Sequence, residues 1–262
     1  MSVFGNTIVY LLVVFPIGAQ SRTFAKIRVN PARSAGAPEE RVRVLPNGDL
    51  IANGVPVIGL LSYAYDVPAN PSQRLMGLPD WAVRERFDIE AKSLGRREVR
   101  QMFREVLAES FRLALRVQNK TMPVYSLAVA GGGPKLQESA ITEKDCTFDT
   151  GPEGCHHFAG GRGHPLIANA IDMDDLVRYI ENWTDFPVVN RTALRGLFTV
   201  KTEGWIPMTL PPPPPNATPN PNAFAGLPTI FAVLRKLGLE LRRQEETLPV
   251  YTVERIERPV GN

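Results

Sequence analysis

The chain has 262 residues, which is enough for one large domain or for two small ones with real cores. Its 30 basic and 27 acidic residues are interspersed and leave a net charge of +3, so the sequence lacks the basic face with which proteins bind nucleic acid. With 44% hydrophobic and 22% charged residues, the composition is that of an ordinary globular protein and excludes a disordered or fibrous one.

An apolar segment without any charge covers residues 8–17. It is shorter than the roughly 20 residues that cross a bilayer, and it has the length of a signal-peptide core, followed by the small residues Gly18 and Ala19. No Lys or Arg precedes it, which leaves a buried first strand or an uncleaved anchor as alternatives. We interpret residues 1–19 as a signal peptide. We therefore expect an exported protein, periplasmic or extracellular, with no stable membrane span after cleavage.

The elements that follow are a hairpin, a helix and further strands. Alternating strands around Pro46, Asn47 and Gly48 predict the hairpin, because Asn-Gly suits a tight turn. Pro56 opens a helix over Val57–Tyr65 that is apolar on nearly all sides, so we expect it to lie against the other half of the chain or a partner. The remaining elements are a strand at 87–91, a helix at 97–110 and a second hairpin with strands at 111–117 and 124–129 and a turn at 119–123.

Three blocks of the first half recur in order in the second half. Leu50–Asn53 returns as Leu166–Asn169, and residues 111–125 align with residues 237–251 with eight identities that include the Pro-Val-Tyr ending. A shorter block at 87–91 corresponds to one that begins at Phe198. Ordered blocks at similar offsets predict an internal duplication.

The duplication predicts an α+β fold made of two tandem, divergent copies of a β-β-α-β-α-β-β unit, with helices packed on antiparallel or mixed sheets. The first copy covers residues 24–140 and the second copy covers residues 141–262. The second copy contains a hairpin rich in Cys and His at 146–165. It also contains a Pro-rich insertion at 207–228, which predicts polyproline II or irregular chain.

Both cysteines and all three histidines lie in that hairpin: Cys146, Cys155, His156, His157 and His164. In an oxidising compartment, two cysteines at this separation most simply form a disulfide. Zinc accepts both Cys and His ligands, so a metal site that uses His156, His157 and His164 is the alternative, although the spacing matches no common ligand pattern. We predict a Cys146–Cys155 disulfide, with no metal and no cofactor.

The sequence contains no common catalytic motif. The members of a Ser-His-Asp arrangement meet only in space, so a secreted hydrolase that uses the Cys/His hairpin stays an alternative. Asp174 and Asp175 lie in the first turn of a helix predicted over residues 173–180, where the helix dipole favours carboxylates. We interpret them as helix-start residues rather than as an acid/base pair.

Several short motifs occur in a fixed order along the chain. In this combination the chain resembles the uncharacterised soil-associated exported proteins that form large paralogous sets in acidobacteria. The motifs are F-x-x-I-x-V at Phe24–Val29, G-x-L-x-A-N at Gly48–Asn53, G-x-P-x-W at Gly77–Trp81, F-D-I-x-A-K at Phe87–Lys92, L-A-E-x-F-x-L at Leu107–Leu113, P-V-Y-x-L at Pro123–Leu127 and G-P-K-L at Gly133–Leu136.

The resemblance implies export, no established activity and an envelope partner. Members often accompany, or are fused to, membrane metallopeptidases of the BlaR type. The family tends to show Thr-Gly-Leu where this chain has Thr192, Ala193 and Leu194. The unit is also similar in fold to the short N-terminal domains of secretins and TonB-dependent receptors, which is an analogy of fold only.

These patterns favour a non-catalytic extracytoplasmic binding or sensing module that presents sheet edges and an apolar helix to a partner. The alternatives are a secreted hydrolase or metal-dependent enzyme at the Cys/His hairpin and a structural protein of the cell envelope.

Overall fold

The structure is a computed structural model that describes residues 23–32, 40–69, 72–95, 98–151, 154–161, 163–208 and 224–260. The predicted signal peptide and most of the predicted Pro-rich insertion lie outside the described residues. The strands are β1 Phe24–Pro31, β2 Arg41–Val44, β3 Leu50–Pro56, β4 Leu75–Met76, β5 Arg86–Ser93, β6 Ala114–Val129, β7 Gln137–Glu138, β8 Ala159–Gly161, β9 His164–Ile171, β10 Val188–Asn190, β11 Phe198–Lys201 and β12 Leu239–Arg255; the helices are α1 Val57–Tyr65, α2 Asp80–Arg84, α3 Val99–Phe111, α4 Met173–Glu181 and α5 Ile230–Lys236.

The strands form three four-stranded sheets, so the predicted α+β class is confirmed. The first sheet has the order β1-β5-β3-β2 and the second has the order β7-β11-β9-β8, both antiparallel. The third sheet has the order β10-β6-β12-β4 and is mixed, because β10 and β4 pair in parallel with β6 and β12. The first and second sheets have the same topology: in each, the strand that comes first in the chain lies at one edge, next to the last, and is followed by the third and the second. The tandem duplication itself stays a prediction.

The second hairpin predicted at the end of each unit is wrong. Residues 114–129 form one strand, and it pairs antiparallel with β12 along its whole length. Thr121 lies opposite Thr247 near the middle of this ribbon, with their hydroxyl oxygens 2.8 Å apart. We refer to the paired strands β6 and β12 as the ribbon.

The prolines that suggested a turn are compatible with the ribbon. The N–H of Tyr125 donates to the carbonyl of Pro187, on the side of β6 away from β12. Because N–H directions alternate along a strand, the nitrogen of Pro123 points to the same outer side as that of Tyr125. Pro123 has no N–H, but none is needed there for pairing with β12. Pro249 occupies the same position relative to Tyr251, whose N–H donates outward to the carbonyl of Arg74.

Two hydrophobic cores contact the ribbon toward its two ends. The first packs α1 and α3 on the first sheet and includes Tyr251 and Val253 from the end of β12. The second packs α4 and α5 against the second sheet and includes Tyr125 and Leu127 from β6. Each core therefore has side chains of both predicted copies in or against it. The predicted boundary at residue 141 stays a prediction.

Helix α1 has the predicted bounds and is buried on most sides, as its composition predicts. It packs on α3 and on β3, and Tyr63 near its end contacts Phe148 from the second half of the chain. The apolar surface of α1 is therefore covered by this chain. Among the described residues, none of the helices is long and apolar enough to cross a membrane.

Candidate functional site

The two cysteines of the hairpin form a disulfide. Cys146 and Cys155 are bonded, with their Cα atoms 5.7 Å apart, and the bond packs against Ala170 and Leu197 of the second half. Because both sulfurs are in the disulfide, neither is a thiolate that could ligate a metal.

The three histidines of the hairpin are not brought together. His164 is exposed at the start of β9, whereas His157 and His156 are half-buried. In the described part of the chain, the groups of side chains close enough to share a metal ion contain His156 but neither His157 nor His164. The structure therefore does not bring the three histidines of the alternative metal site together.

His156 is the residue of this hairpin with the most defined environment. Its backbone has a φ of 60°, in the left-handed region, and its N–H donates to the carbonyl of Ala170. Nδ1 lies 2.5 Å from Oδ2 of Asp175, and Nε2 lies 3.4 Å from Oε2 of Glu143. The hydrogen bond to Asp175 raises the pKa of His156 to about 9, so the imidazole carries a positive charge at neutral pH.

Asp175 connects His156 to helix α4. Its side chain accepts from the N–H of Asp172, whose side chain in turn accepts from the N–H of Asp175, so the two form a capping box. Arg178 donates to the other carboxylate oxygen, at 2.7 Å. Burial opposes ionisation of Asp175, but the His156 hydrogen bond and the Arg178 charge outweigh it and lower its pKa. The helix-start prediction for Asp175 is thus confirmed, but the sequence missed its contact with His156.

Of the potential ligand groups, His156, Asp172 and Asp175 contain the most suitable atoms for a metal, all within 4.8 Å of one another. Burial and the charge of Asp175 raise the pKa of Asp172 to about 6. The carboxylates, however, already accept from backbone N–H groups at the start of α4 and from Arg178. The positive end of a helix and an adjacent guanidinium both repel a cation. The arrangement therefore favours a salt-bridged clamp over a metal centre.

The disulfide loop also attaches the second half of the chain to the first sheet. The N–H of Val44 donates to the carbonyl of Phe148, and the N–H of Thr150 donates to the carbonyl of Val42. The guanidinium of Arg41 holds both carboxylate oxygens of Asp149, at 2.8 and 2.7 Å. The outer side of β2 is therefore occupied by the disulfide loop.

A buried ion pair forms a second polar contact between the halves. Arg74 donates to Glu181 at 3.1 Å, and their side chains are 11% and 4% exposed. Arg74 also donates to the backbone carbonyl of Asp66 at the end of α1. Burial raises the pKa of Glu181 to about 7 despite the nearby Arg74 charge. The pair connects α4 to the segment that follows α1.

The main open feature lies at the other edge of the first sheet. Strand β1 has no neighbouring strand on its outer side within the described residues. A groove of about 300 Å³ lies beside it, lined by Ile27 and Val29 of β1, the end of α3 and residues 257–260. We call this feature the β1 groove. Its lining comes from three distant parts of the sequence, so no local pattern could have predicted it.

The fold and these sites define an α+β protein with two cores joined by a shared ribbon and with its charged clusters engaged in internal contacts. Residues 59–256 match the family described as "Protein of unknown function (DUF3738)", and the chain belongs to this family. No curated protein and no solved structure matches the chain.

Proposed function

We propose that the protein is exported and acts in the periplasm or outside the cell as a non-catalytic binding or sensing module. The observation that carries the proposal is the β1 groove, an open strand edge beside a depression lined by apolar and charged side chains. Strand edges bind partners through main-chain hydrogen bonds, which requires no catalytic group. The Cys146–Cys155 disulfide supports export, because disulfides persist in oxidising compartments.

The Cys/His hairpin supports the alternative of a hydrolase or metal-dependent enzyme less well. Nε2 of His156 faces the carboxylate of Glu143, whereas a catalytic base would face the hydroxyl or thiol of a nucleophile. Its Nδ1 is held by Asp175, so the imidazole acts here as a cation between two carboxylates.

We propose an envelope protein as the partner, such as a membrane metallopeptidase of the BlaR type. This part of the proposal comes from the family resemblance of the sequence motifs. Two parts of the protein are proposed to have separate functions. The disulfide loop attaches the second half of the chain to the first sheet, and the β1 groove binds the partner. A structural envelope protein is the remaining alternative, and it would remain in the insoluble envelope fraction.

The test is cross-linking of the protein in living cells of its native host. A photoreactive amino acid is placed at Ala25, which is exposed on β1, and at Ile167, which is exposed on β9, as a matched control. We expect the protein in the soluble envelope fraction, with a discrete cross-link to one envelope protein from position 25 and none from position 167. Two outcomes would contradict the proposal: retention of the protein in the insoluble fraction, or no cross-link to an envelope protein from either position.

Metal analysis separates the module from the enzyme. The purified protein and its His156→Ala and His164→Ala variants are analysed for zinc and copper, and we expect far less than one equivalent in all three. One equivalent of metal that His156→Ala removes and His164→Ala retains would replace the proposal with a metal-dependent enzyme. A mass increase of two hydrogens on reduction is expected from the disulfide.

A further inference from the structure

We infer that β1 binds an extended segment of another protein in which apolar residues alternate with acidic ones, as an added strand of the first sheet. This inference rests on the proposed binding function and specifies the chemistry of its ligand. It is carried by the hydrogen-bonding direction of β1, by the walls of the β1 groove and by the charges along the strand.

The free hydrogen-bonding groups of β1 follow from its pairing with β5. The N–H of Ala32 donates to the carbonyl of Arg86, so these two opposed residues form a hydrogen-bonded pair. Such pairs alternate along an antiparallel ladder, which directs the groups of Arg28 and Lys26 toward β5. The N–H and C=O groups of Ile27 and Val29 therefore point to the open side. An added strand would pair with them.

The β1 groove provides space for the side chains of such a strand. Ile27 and Val29 alternate with the charged residues of β1, and both border the groove. Ile27 is half-buried and provides the apolar surface, whereas Val29 is almost wholly buried in the first core. The opposite wall is held in place: the N–H of Glu257 donates to the carbonyl of Phe111, and Arg258 is bound to Glu85 and lies over the ring of Trp81. Every second side chain of an added strand would enter this groove.

The charge preference comes from the other face of β1. The groove is lined by two acidic and two basic side chains, so it selects neither sign: Glu109, Arg112, Glu257 and Arg258. On the other face, β1 exposes Lys26 and Arg28 and carries no acidic residue. Lys26 lies opposite Lys92 of β5, and no carboxylate of the described residues pairs with it, whereas Arg28 lies opposite Glu90 and is 3.8 Å from its carboxylate. Residues directly opposite across strands interact, so an acidic side chain is favoured next to Lys26 above all, and Arg28 adds a second positive charge that Glu90 offsets in part.

The same charges argue against a second copy of this chain as the ligand. Two β1 strands that paired edge to edge would bring Lys26 and Arg28 of one copy close to those of the other. Like charges on opposed strands are destabilising, and natural edge strands use such residues to prevent self-pairing. The ligand is therefore a segment of a different protein.

The test uses two labelled synthetic hexapeptides with blocked ends, Val-Glu-Val-Glu-Val-Glu and Val-Lys-Val-Lys-Val-Lys, and the full chain. Fluorescence anisotropy measures affinity, and hydrogen exchange locates the protected amides. We expect the Glu peptide to bind at least about tenfold more tightly than the Lys peptide, since several cross-strand pairs change from attractive to repulsive. Binding is expected to protect the amides of Ile27 and Val29. Failure of the Glu peptide to bind, or protection elsewhere, overturns the inference.

Three variants give the test its controls. Ile27→Pro removes an outward N–H and is expected to abolish binding, whereas Ile27→Thr keeps the N–H and is expected to retain it. The double variant Lys26→Glu/Arg28→Glu is expected to reverse the preference in favour of the Lys peptide. Its melting temperature is expected to fall slightly, because Arg28→Glu places two carboxylates opposite each other at Glu90. An unchanged preference would overturn the charge assignment even if Ile27→Pro failed to fold.

Two further outcomes separate this inference from the proposed function. If the wild-type chain were a dimer that Ile27→Pro dissociated, the ligand would be a second copy and the inference would be wrong. If Ile27→Pro still formed the cross-link to the envelope protein in cells, the proposed binding function would be supported, but the inference that β1 is the binding strand would be wrong. Loss of that cross-link in Ile27→Pro but not in Ile27→Thr supports both.

Discussion

His156 shows how a single residue fixes the disulfide loop to a helix. The preceding Cys155 is covalently bound, and the left-handed backbone of His156 aims the ring at α4. A non-glycine residue in that conformation costs about 1 kcal/mol or more, and the surrounding contacts must offset the cost. The charged ring, held between Asp175 and Glu143, supplies such contacts. We therefore assign His156 a structural role.

Replacement of this residue tests the role. We expect His156→Ala to lower the free energy of unfolding at neutral pH by about 2 kcal/mol, since hydrogen bonds to charged groups contribute about 1.5–3 kcal/mol. Urea denaturation measures the change. The control is His164→Ala, an exposed residue whose replacement should change stability by no more than about 0.5 kcal/mol. Equal stability of the two variants would contradict the clamp.

The pH dependence of that difference has a definite sign. The pKa of His156 is raised from 6.5 to about 9, so the folded state holds this proton more tightly than the unfolded state does. The stabilisation is therefore fully present below about pH 6.5 and is lost as the pH rises through about 9. The difference in unfolding free energy between wild type and His156→Ala should accordingly narrow between about pH 6.5 and 9 and be smallest above pH 9. A gap that widened there would show that the charge of the ring is unimportant.

Among the elements, the disulfide loop acts as an additional strand-like cover on β2. It forms backbone hydrogen bonds with Val42 and Val44, and its Phe148 packs on Tyr63 and Phe103. An edge strand covered in this way is protected from pairing with other chains. The loop thus covers one edge of the first sheet, whereas at the other edge no strand of the described residues pairs with the outer side of β1.

Removal of the disulfide should loosen this cover. We expect the Cys146→Ala/Cys155→Ala double variant to lose about 2–3 kcal/mol of unfolding free energy, the value that chain entropy predicts for a loop closed nine residues apart. Urea denaturation of the double variant should agree with that of the reduced wild-type protein. The control is Ile27→Thr at the opposite edge of the first sheet. Its loss of unfolding free energy should be the same in oxidised and in reduced protein, because it is separate from the disulfide loop. No difference between oxidised and reduced protein would contradict the prediction.

Elements with a strong periodic pattern could be predicted from the sequence. Helix α1 has its predicted bounds, and α3 begins two residues later than predicted because Glu98 caps its first turn. The prediction of a hairpin with its turn at 119–123 was wrong. This exposed part of the ribbon contains Asn and Pro residues, which are also typical of turns. The information that makes this segment a strand lies in β12, far along the chain, and not in its own residues.

The candidate sites divide in the same way. The disulfide could be predicted because both cysteines lie close together in the sequence and the loop between them is short. Contacts such as His156 with Asp175 depend on how two elements meet, and the carboxylate gave only the local signal of a helix start. The β1 groove required the register of β1 and the path of residues 257–260, neither of which has a sequence signature.

At the scale of the whole molecule, the shared ribbon makes the two cores interdependent. The first core contains Tyr251 and Val253 of β12, and β4 pairs with β12 next to them. Tyr251 and Val253 are partly buried at the edge of the first core, whereas Tyr125 and Leu127 of β6 are buried members of the second core. We therefore expect that neither predicted copy is stable alone.

Separated halves test this interdependence. We expect residues 23–140 to show no cooperative thermal transition alone, because half of the ribbon and part of the core are missing. Co-expression with residues 141–262 should restore a folded complex, which size-exclusion chromatography and calorimetry would detect. A cooperative transition of residues 23–140 alone would show that the first copy is an autonomous domain.

The ribbon also determines the order in which the chain can reach its native state. The first sheet and the apolar helix α1 are synthesised long before β12, whose end adds Tyr251 and Val253 to the edge of their core. Pairings between distant segments form slowly, and apolar surface that waits for its partner is prone to aggregate. We therefore expect the pairing of β12 with β6 to be the rate-limiting step of folding. A chaperone that shields α1 until then should raise the yield of folded protein more than faster folding of either half would.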